Sequence, residues 1–465
     1  MRKLIPASII LLLLLGLAWF RFYPLYQQEG DLLPHAAAAW QLETGSADIA
    51  AIPGETEKYL TRSSDGMQSL TGMMASRGWT YKEQLGAGII FVKNGALATV
   101  SSRMYSGRYM IFSIPEPDQT TVLADAATIN LVATGDILMH NTVIASGLKG
   151  GSYDFDHLYA PIKHLLAAGD YASVNLECAL AGPSSGYTGY PLFNSPDAIA
   201  PALKKAGFDL VVTANNHILD RGYQGALRTM DTLRQAGLDT TGTFKTQPES
   251  QNFLIKDLRG IKVGYLAYSY STNGIPVPAD KPYFYNFLDK EQIIKDIAAL
   301  RPQVDLVVLI LHWGVEYSPY PTASQRQMAR ELFDKGADVI LGSHPHVIQP
   351  MEVMQVDGQD KFVIYSMGNS MGNQNGVERN SGVVLNLQFR KYLTEGKTVL
   401  SGVNYVPTYI HPYYVGQQRT FRVVPIEETL AAIKAGTEPV LGPEAIPELE
   451  KVLAATNQTL NRPLD

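Results

Sequence analysis

The ten residues Leu341–Pro350, LGSHPHVIQP, hold the strongest clue to how this chain folds. An apolar run, Ala337–Leu341, stops at Gly342-Ser343 and then presents His344 and His346 with one proline between them. A short apolar run closed by Gly and Pro reads as a buried strand breaking into a tight loop. Pro345 fixes one backbone angle and removes one N–H donor, so the loop is stiff where the rings must point. Two neutral imidazoles on such a loop make half of a metal site, and equally a pair of structural histidines. Which of the two they are depends on what stands at the ends of the other strands.

From about residue 128 the chain alternates strands with helical stretches. Ile129–Thr134, Tyr171–Leu176, Asp209–Ala214, Val263–Tyr268, Asp305–Leu311, Asp338–Leu341 and Phe362–Ser366 are short and rich in Val, Ile and Leu. This predicts an α/β layered architecture with buried strands. Val383–Phe389 and Leu400–Ile410 are expected to be antiparallel, joined by a charged turn at Arg390–Lys397, with closing helices over Ile426–Leu460.

In open α/β sheets function collects at the carboxyl ends of strands. Here those ends read Gly135-Asp136, with His140 after it; Asn175-Leu176-Glu177; Asn215-Asn216-His217, then Asp220-Arg221-Gly222; His312-Trp313-Gly314-Val315-Glu316; His344-Pro345-His346; and Tyr365-Ser366-Met367-Gly368-Asn369. Each has a plainer reading by itself: a Gly-Asp turn, a strand end facing water, a helix cap from Asn216 or Asp220, a core His312 packed beside Trp313, a supporting turn at Tyr365–Asn369. Jointly those readings fail, because turns do not need histidine, whereas strand ends facing one cleft explain them all. Two carboxylates, an amide and three or four imidazoles suit Mn²⁺, Fe or Zn²⁺ better than Ca²⁺ or Mg²⁺, which favour oxygen cages. A bridging carboxylate would hold two such ions roughly 3.5–4 Å apart, the arrangement that activates a water.

GD (Gly135-Asp136), NLE (Asn175–Glu177), NNHxxDxG (Asn215–Gly222), HWGxE (His312–Glu316), GSHPHVIQP (Gly342–Pro350) and YSMGN (Tyr365–Asn369) occur in the order typical of CapA-type capsule (poly-γ-glutamate) synthesis proteins. The chain resembles that family over roughly 128–415. The resemblance implies a branch of the calcineurin-like metallophosphoesterases, a four-layer α/β/β/α sandwich with a two-metal site at its strand ends. It implies Asp136, Glu177, Asn216, His312, His344 and His346 as metal ligands, with Glu177 the bridge. It also implies His217 as the acid that protonates a leaving oxygen, oriented by Asp220. Asn175, Asn215, Arg221, Trp313, Glu316 and Asn369 belong to the same motifs and are expected on the substrate side of the cleft. Two departures stand out from the broader phosphoesterase pattern. Asp136-Ile-Leu-Met-His140 replaces Asp-x-His, and Asn175-x-Glu177 replaces Gly-Asp, so one metal position is expected to be short of a ligand or to bind weakly.

Composition narrows the partners. The chain has 465 residues, 46% hydrophobic, with a formal net charge of −6 and no dense Lys/Arg block, which argues against nucleic acid. Cys178 is the sole cysteine, so neither a disulfide framework nor a thiolate cluster is available. Arg2 and Lys3 precede an apolar run, Leu4–Phe20, without a small-residue cleavage site. A single-pass signal anchor over residues 1–26 is therefore expected, with a cleaved signal peptide as the alternative; either leaves the bulk of the chain outside the cell membrane. A tether over 27–54, a small α+β domain over 55–115, the main domain over 120–425 and a helical segment over 426–465 would follow. The expected role is in making, exporting or anchoring an anionic capsule polymer, beside other capsule-synthesis membrane subunits. The rivals are an extracytoplasmic phosphoesterase acting on a phosphate-containing substrate and a non-catalytic polymer-binding subunit.

Overall fold

The computed structural model describes residues 32–85, 88–93, 96–105, 108–114, 126–392 and 396–464. The chain divides into two compact units, Met1–Ala126 and Ala127–Asp465.

In the first unit a helix, Leu32–Glu43, precedes strands β1 (Ile49–Ala51) and β2 (Lys58–Arg62). A second helix, Gly66–Ser76, leads to β3 (Thr80–Leu85), β4 (Gly88–Lys93), β5 (Ala96–Tyr105) and β6 (Tyr109–Ser113). They form one antiparallel sheet in the order β1-β2-β6-β5-β4-β3. The helical character read over Glu55–Arg77 is confined to Gly66–Ser76. Lys58–Arg62 instead pairs with β6, Leu60 opposite Ile111, because a partner strand outweighs local propensity. Within the segment expected to be a tether, Leu32–Glu43 is a helix and Ile49–Ala51 a strand. Ala38, Ala39, Leu42, Ala50 and Ile52 are buried with Leu60, Tyr105 and Ile111, since a helix face rich in alanine can lie close on a sheet.

The anchor expected over 1–26 lies outside the described residues, and the membrane location built on it must be corrected. No helix among the described residues is long and apolar enough to cross a membrane. The longest, Ile446–Leu460, has 15 residues, about 22 Å at 1.5 Å per residue against a hydrocarbon core of about 30 Å.

The second unit holds β7 (Ala126–Ile137), β8 (Leu148–Lys149), β9 (Ser152–Tyr153), β10 (Tyr171–Leu176), β11 (Leu210–Val212), β12 (Asp239–Thr241), β13 (Leu254–Leu258), β14 (Ile261–Ser269), β15 (Leu306–His312), β16 (Val339–Ser343), β17 (Met351–Val356), β18 (Gln359–Ile364), β19 (Asn369–Met371), β20 (Ser381–Tyr392), β21 (Lys397–Val415) and β22 (Gln418–Pro425). Apart from the short β8–β9 pair, they form two sheets. One runs β12-β11-β10-β7-β20-β21-β22 with β19 beside β7, and the other runs β13-β14-β15-β16-β18-β17. Strands β12, β11, β10 and β7 are parallel, as are β14, β15, β16 and β18.

The two sheets pack face to face. Leu131 and Ala133 of β7 and Val212 of β11 share one core with Val263 and Tyr265 of β14, Val308 and Ile310 of β15, and Leu341 of β16. The alternate residues face outward. Val307, Leu309 and Leu311 pack on Ile293, Ile297, Leu332 and Phe333 of the helices Lys290–Leu300 and Ala323–Asp334. Val132, Val174 and Val211 pack on Leu203 and Leu233 of the helices Ile199–Ala206 and Gly222–Gln235. The result is a helix/sheet/sheet/helix sandwich of mixed α/β class. Its central strands are apolar on both faces because both faces are covered.

Candidate metal centre

The carboxyl ends of strands from both sheets meet in one buried cleft. In the first sheet β7 carries Asp136, in register with Asn175 of β10, and Glu177 follows directly after β10. The turn after β11 supplies Asn215, Asn216 and His217. In the second sheet His312 ends β15 in register with Ser343, and the loop after β16 supplies His344 and His346. Two glycines let the segment that follows β18 lie close against β7 and β16. A Cβ on Gly135 would stand 1.8 Å from the Gly368 oxygen, and one on Gly342 would stand 1.9 Å from the Tyr365 oxygen. His344 and His346 both adopt positive φ, +96° and +59°, a costly conformation for residues with a Cβ.

Two groups of side chains offer donor atoms within 4.8 Å of one another: Asp136, Glu177 and His312, and Glu177, His344 and His346. Glu177 is common to both. His312 Nε2 and His346 Nε2 each lie 3.6 Å from Glu177 Oε1, and His312 Nε2 lies 2.8 Å from Asn216 Oδ1. Atoms bound about 2.1 Å from one ion stand about 3.0–3.5 Å apart, so the spacing suits a shared cation.

The outer contacts point the ligand atoms inward. His312 Nδ1 is 2.9 Å from Ser343 Oγ and 3.3 Å from Asn175 Nδ2, and His346 Nδ1 is 3.1 Å from Asn369 Oδ1; since an amide oxygen only accepts, the neutral His346 ring keeps its proton on Nδ1 and presents the Nε2 lone pair. Asp136 Oδ1 accepts from Asn175 Nδ2 at 2.7 Å, and its Oδ2 accepts from the His344 backbone N–H at 2.9 Å.

Glu177 supplies the sharpest test of whether a cation fits. It is fully buried, yet neither carboxylate oxygen has a hydrogen-bond donor, and buried His344 Nδ1 has no hydrogen-bond partner either. Burying a carboxylate without donors is expensive, and a cation between these atoms would remove the cost. The proton affinities agree. Burial pushes Glu177 up to about 8. At His346 burial acts downward, but the charges of Glu177 and Asp136 outweigh it and hold the imidazole up at about 9, so without a metal this ring carries the positive charge that a cation would have to displace. Burial drives His312 down to about 3 and His344 strongly down, which keeps both neutral as ligands must be. Asp136 is held below the usual carboxylate range, because contact with His346 and the charge of His312 outweigh its desolvation.

His217 stands beside the ligand set. Its Nδ1 is 2.8 Å from Asp220 Oδ2, and Phe193 meets the ring edge-on at 4.8 Å. Burial lowers its proton affinity, but Asp220 and then Glu177 more than restore it, so the imidazole is held above its ordinary value.

The residues expected on the substrate side divide differently. Trp313 is fully buried in the core under the helices, with its Nε1 donating to the Tyr365 carbonyl at 3.0 Å. Strand alternation turns it away from the face that His312 occupies, so it is packing. Asn175, Asn215 and Asn369 are buried braces. Asn215 Nδ2 donates to Asn175 Oδ1 at 3.1 Å and to the Leu176 carbonyl at 2.8 Å, while Asn369 holds His346. The Arg221 guanidinium is taken up by Thr188 Oγ1 and the Leu192 carbonyl. Glu316 is exposed at the rim, where its charge raises the proton affinity of Glu177 and His346.

Sequence reasoning did not single out three neighbours. Asn273 Oδ1 accepts from Asn216 Nδ2 at 3.2 Å, Tyr270 lies 4.4 Å from His344 between ring centroids, and Ser343 supports His312. Tyr270 follows the end of β14 directly, so reading that strand to its end as the others were read would have found it.

A family profile described as "Bacterial capsule synthesis protein PGA_cap" matches residues 130–374, a stretch containing every ligand candidate. The chain is 27% identical over 255 residues to the capsule biosynthesis protein CapA of Bacillus anthracis, covering 53% of this chain and 60% of that one. It is 27% identical over 266 residues to the PGA biosynthesis protein CapA of Bacillus subtilis, covering 55% and 67%. The match thus spans less than two thirds of the first relative's length. Among solved structures the chain is similar to the calcineurin-like phosphoesterase YfkN of Bacillus subtilis at 14% identity and a TM-score of 0.40, covering 70% of this chain and 100% of that one.

Proposed function

This chain belongs to the bacterial capsule synthesis protein family PGA_cap, and we propose accordingly that it takes part in making a poly-glutamate capsule through a cleft that binds two divalent cations. The observation that carries the metal reading is Glu177, wholly buried with two donor-free oxygens and common to both ligand groups. Asp136, Asn216 and His312 would hold one ion, His344 and His346 the other, and Glu177 would bridge them. The donor set of imidazoles, carboxylates and one amide suits Mn²⁺, Fe or Zn²⁺.

When bound, such a pair supplies Lewis acidity and eases deprotonation of a water. The chain's own residues do the rest. Asn175, Ser343 and Asn369 hold the ligand side chains in place. Asp220 fixes the tautomer of His217 and favours its protonated form, so that Nε2 can give a proton to a leaving oxygen. Phe193 and the Tyr190 ring, 6.4 Å away, restrict water around that imidazole.

Metal analysis of the purified chain after dialysis against Mn²⁺, Zn²⁺ or Fe²⁺ tests the reading, with two ions per chain expected. Fewer than one tightly held ion of any kind would overturn it. The buried His217–Asp220 pair favours a hydrolytic version of the same function, in which a chromogenic phosphodiester is cleaved with added Mn²⁺. If the metal is present, no ester is cleaved and acidic polymer is bound, the role is binding alone.

A further inference from the structure

The loop after β15 carries two tyrosines, Tyr317 and Tyr320, exposed by 42% and 51%. Each has an arginine laid over its ring. The Arg379 guanidinium carbon is 4.1 Å from the Tyr317 centroid, and that of Arg462 is 4.7 Å from the Tyr320 centroid. The loop is fixed to the ligand loop itself. Tyr317 faces His346 at 6.1 Å between ring centroids, and its backbone N–H donates to the Pro345 carbonyl at 2.8 Å. Gln349 Nε2 donates to the Ser318 and Tyr320 carbonyls at 2.9 and 3.0 Å. The Arg379 carbonyl accepts from Asn369 Nδ2 at 2.7 Å, and Asn369 is the residue that orients His346.

Neither guanidinium has an ion pair or hydrogen bond among the described residues, whereas Arg228, Arg234, Arg301 and Arg422 each close on a carboxylate. A guanidinium held over a ring without a hydrogen-bond partner has its N–H groups available and has already lost some rotamer freedom, so less is lost on meeting an oxyanion. Exposed Lys451 lines a cavity of about 190 Å³ with Tyr317 and Pro319, which adds a third cation to this surface. The acids here are Glu378, lining the same cavity, and Glu316 at the rim.

We propose that Arg379 and Arg462, presented on Tyr317 and Tyr320, form a track that receives successive carboxylates of a glutamyl polymer and leads the chain into the cleft. The proposal rests on the poly-glutamate reading above. The two guanidiniums stack on separate rings rather than converging on one point. That arrangement fits repeated single negative charges along a chain better than one compact dianion such as phosphate.

The test is fluorescence anisotropy on the full, Mn²⁺-loaded chain, using a labelled γ-linked glutamate decamer and the same decamer with its carboxylates amidated. The acidic decamer is expected to bind and the amidated one not to bind. Arg379→Gln and Arg462→Gln should each weaken binding about tenfold, and the double variant about a hundredfold, as charge-assisted contacts at independent sites would. Tyr317→Leu leaves the charge but removes its platform and should also weaken binding. Arg379→Lys, which keeps a cation without the fork, should recover only part of the affinity and serves if the glutamine variant melts early or loses metal. Unchanged affinity in the arginine variants overturns the track and leaves the capsule reading standing. Failure of the wild type to bind the acidic decamer overturns both. Equal binding of the amidated decamer, or release of the acidic one by inorganic phosphate at lower concentration than by free glutamate, overturns the carboxylate assignment.

Discussion

Replacing Glu177 by Gln keeps its shape and removes the one carboxylate that both ligand groups share. With the ions in hundredfold excess over their dissociation constants, each site stabilises the fold by about 2.7 kcal/mol. Two sites then contribute about 5 kcal/mol. Each kcal/mol moves Tm by about 2–4 °C in units of 150–250 residues. At the low end of that range, which suits the larger Ala127–Asp465 unit, the two sites together are worth roughly 10 °C. Glu177→Gln should therefore lose both ions and roughly 10 °C of Mn²⁺-dependent Tm. His312→Ala and His344→Ala, which belong to one group each, should lose one ion and about half the shift. In EDTA above about pH 8, where Glu177 is ionised, the order should reverse, with Glu177→Gln melting at or above the wild type, because a neutral amide is cheaper to bury than a carboxylate without donors. The measurements are metal stoichiometry by plasma mass spectrometry and calorimetric melting with Mn²⁺ and with EDTA. A Glu177→Gln chain that keeps both ions, or a His312→Ala chain that loses both, would refute the bridging arrangement.

Asp220→Asn should lower phosphodiester turnover by about a hundredfold or more at unchanged metal content, since it removes what orients and charges His217; turnover and metal content measured side by side decide it. Gly342→Ala places a Cβ 1.9 Å from the Tyr365 carbonyl oxygen and should cost about 3 kcal/mol or more in urea unfolding. Trp313→Ala should cost about 3–5 kcal/mol by the same measurement while both ions stay bound, because the ring fills the core beneath the helices. His411 is held down to about 4, by burial and then by the charge of Arg422. A folded value below the unfolded one of about 6.5 means stability is full above pH 6.5 and is lost as pH falls toward 4. His411→Gln should flatten that part of the stability–pH curve.

The main strands were legible because covering both faces forces continuous apolar runs. Tyr171–Leu176 coincides with β10, and Asp305–Leu311 and Asp338–Leu341 lie within a residue or two of β15 and β16. The edge strands β12, β13 and β17 were not legible, because a short, half-covered strand with a hydrogen-bonding partner elsewhere carries little local signal. In the same way Lys58–Arg62 looked helical until β6 was there to pair with it. At the cleft, the reading that strand-end motifs gather in one place rests on residue types a turn does not need. The part played by each residue did not follow from type. Trp313 and His312 are neighbours in the chain, yet one fills a core and the other faces Glu177.

Residue order and composition were enough to set the layered α/β class, the apolar character of its central strands and the identity of the polar groups at their ends, since burial on two faces and metal-type donors each leave a local chemical mark. Which of those groups bring donor atoms within 4.8 Å of one another, which merely brace, and which point into packing depended on two sheets meeting face to face. Asp136 and His344 are 208 residues apart and touch at 2.9 Å. No local pattern encodes that contact, because it exists only once the two sheets, sharing one core, bring the ends of β7 and β16 together.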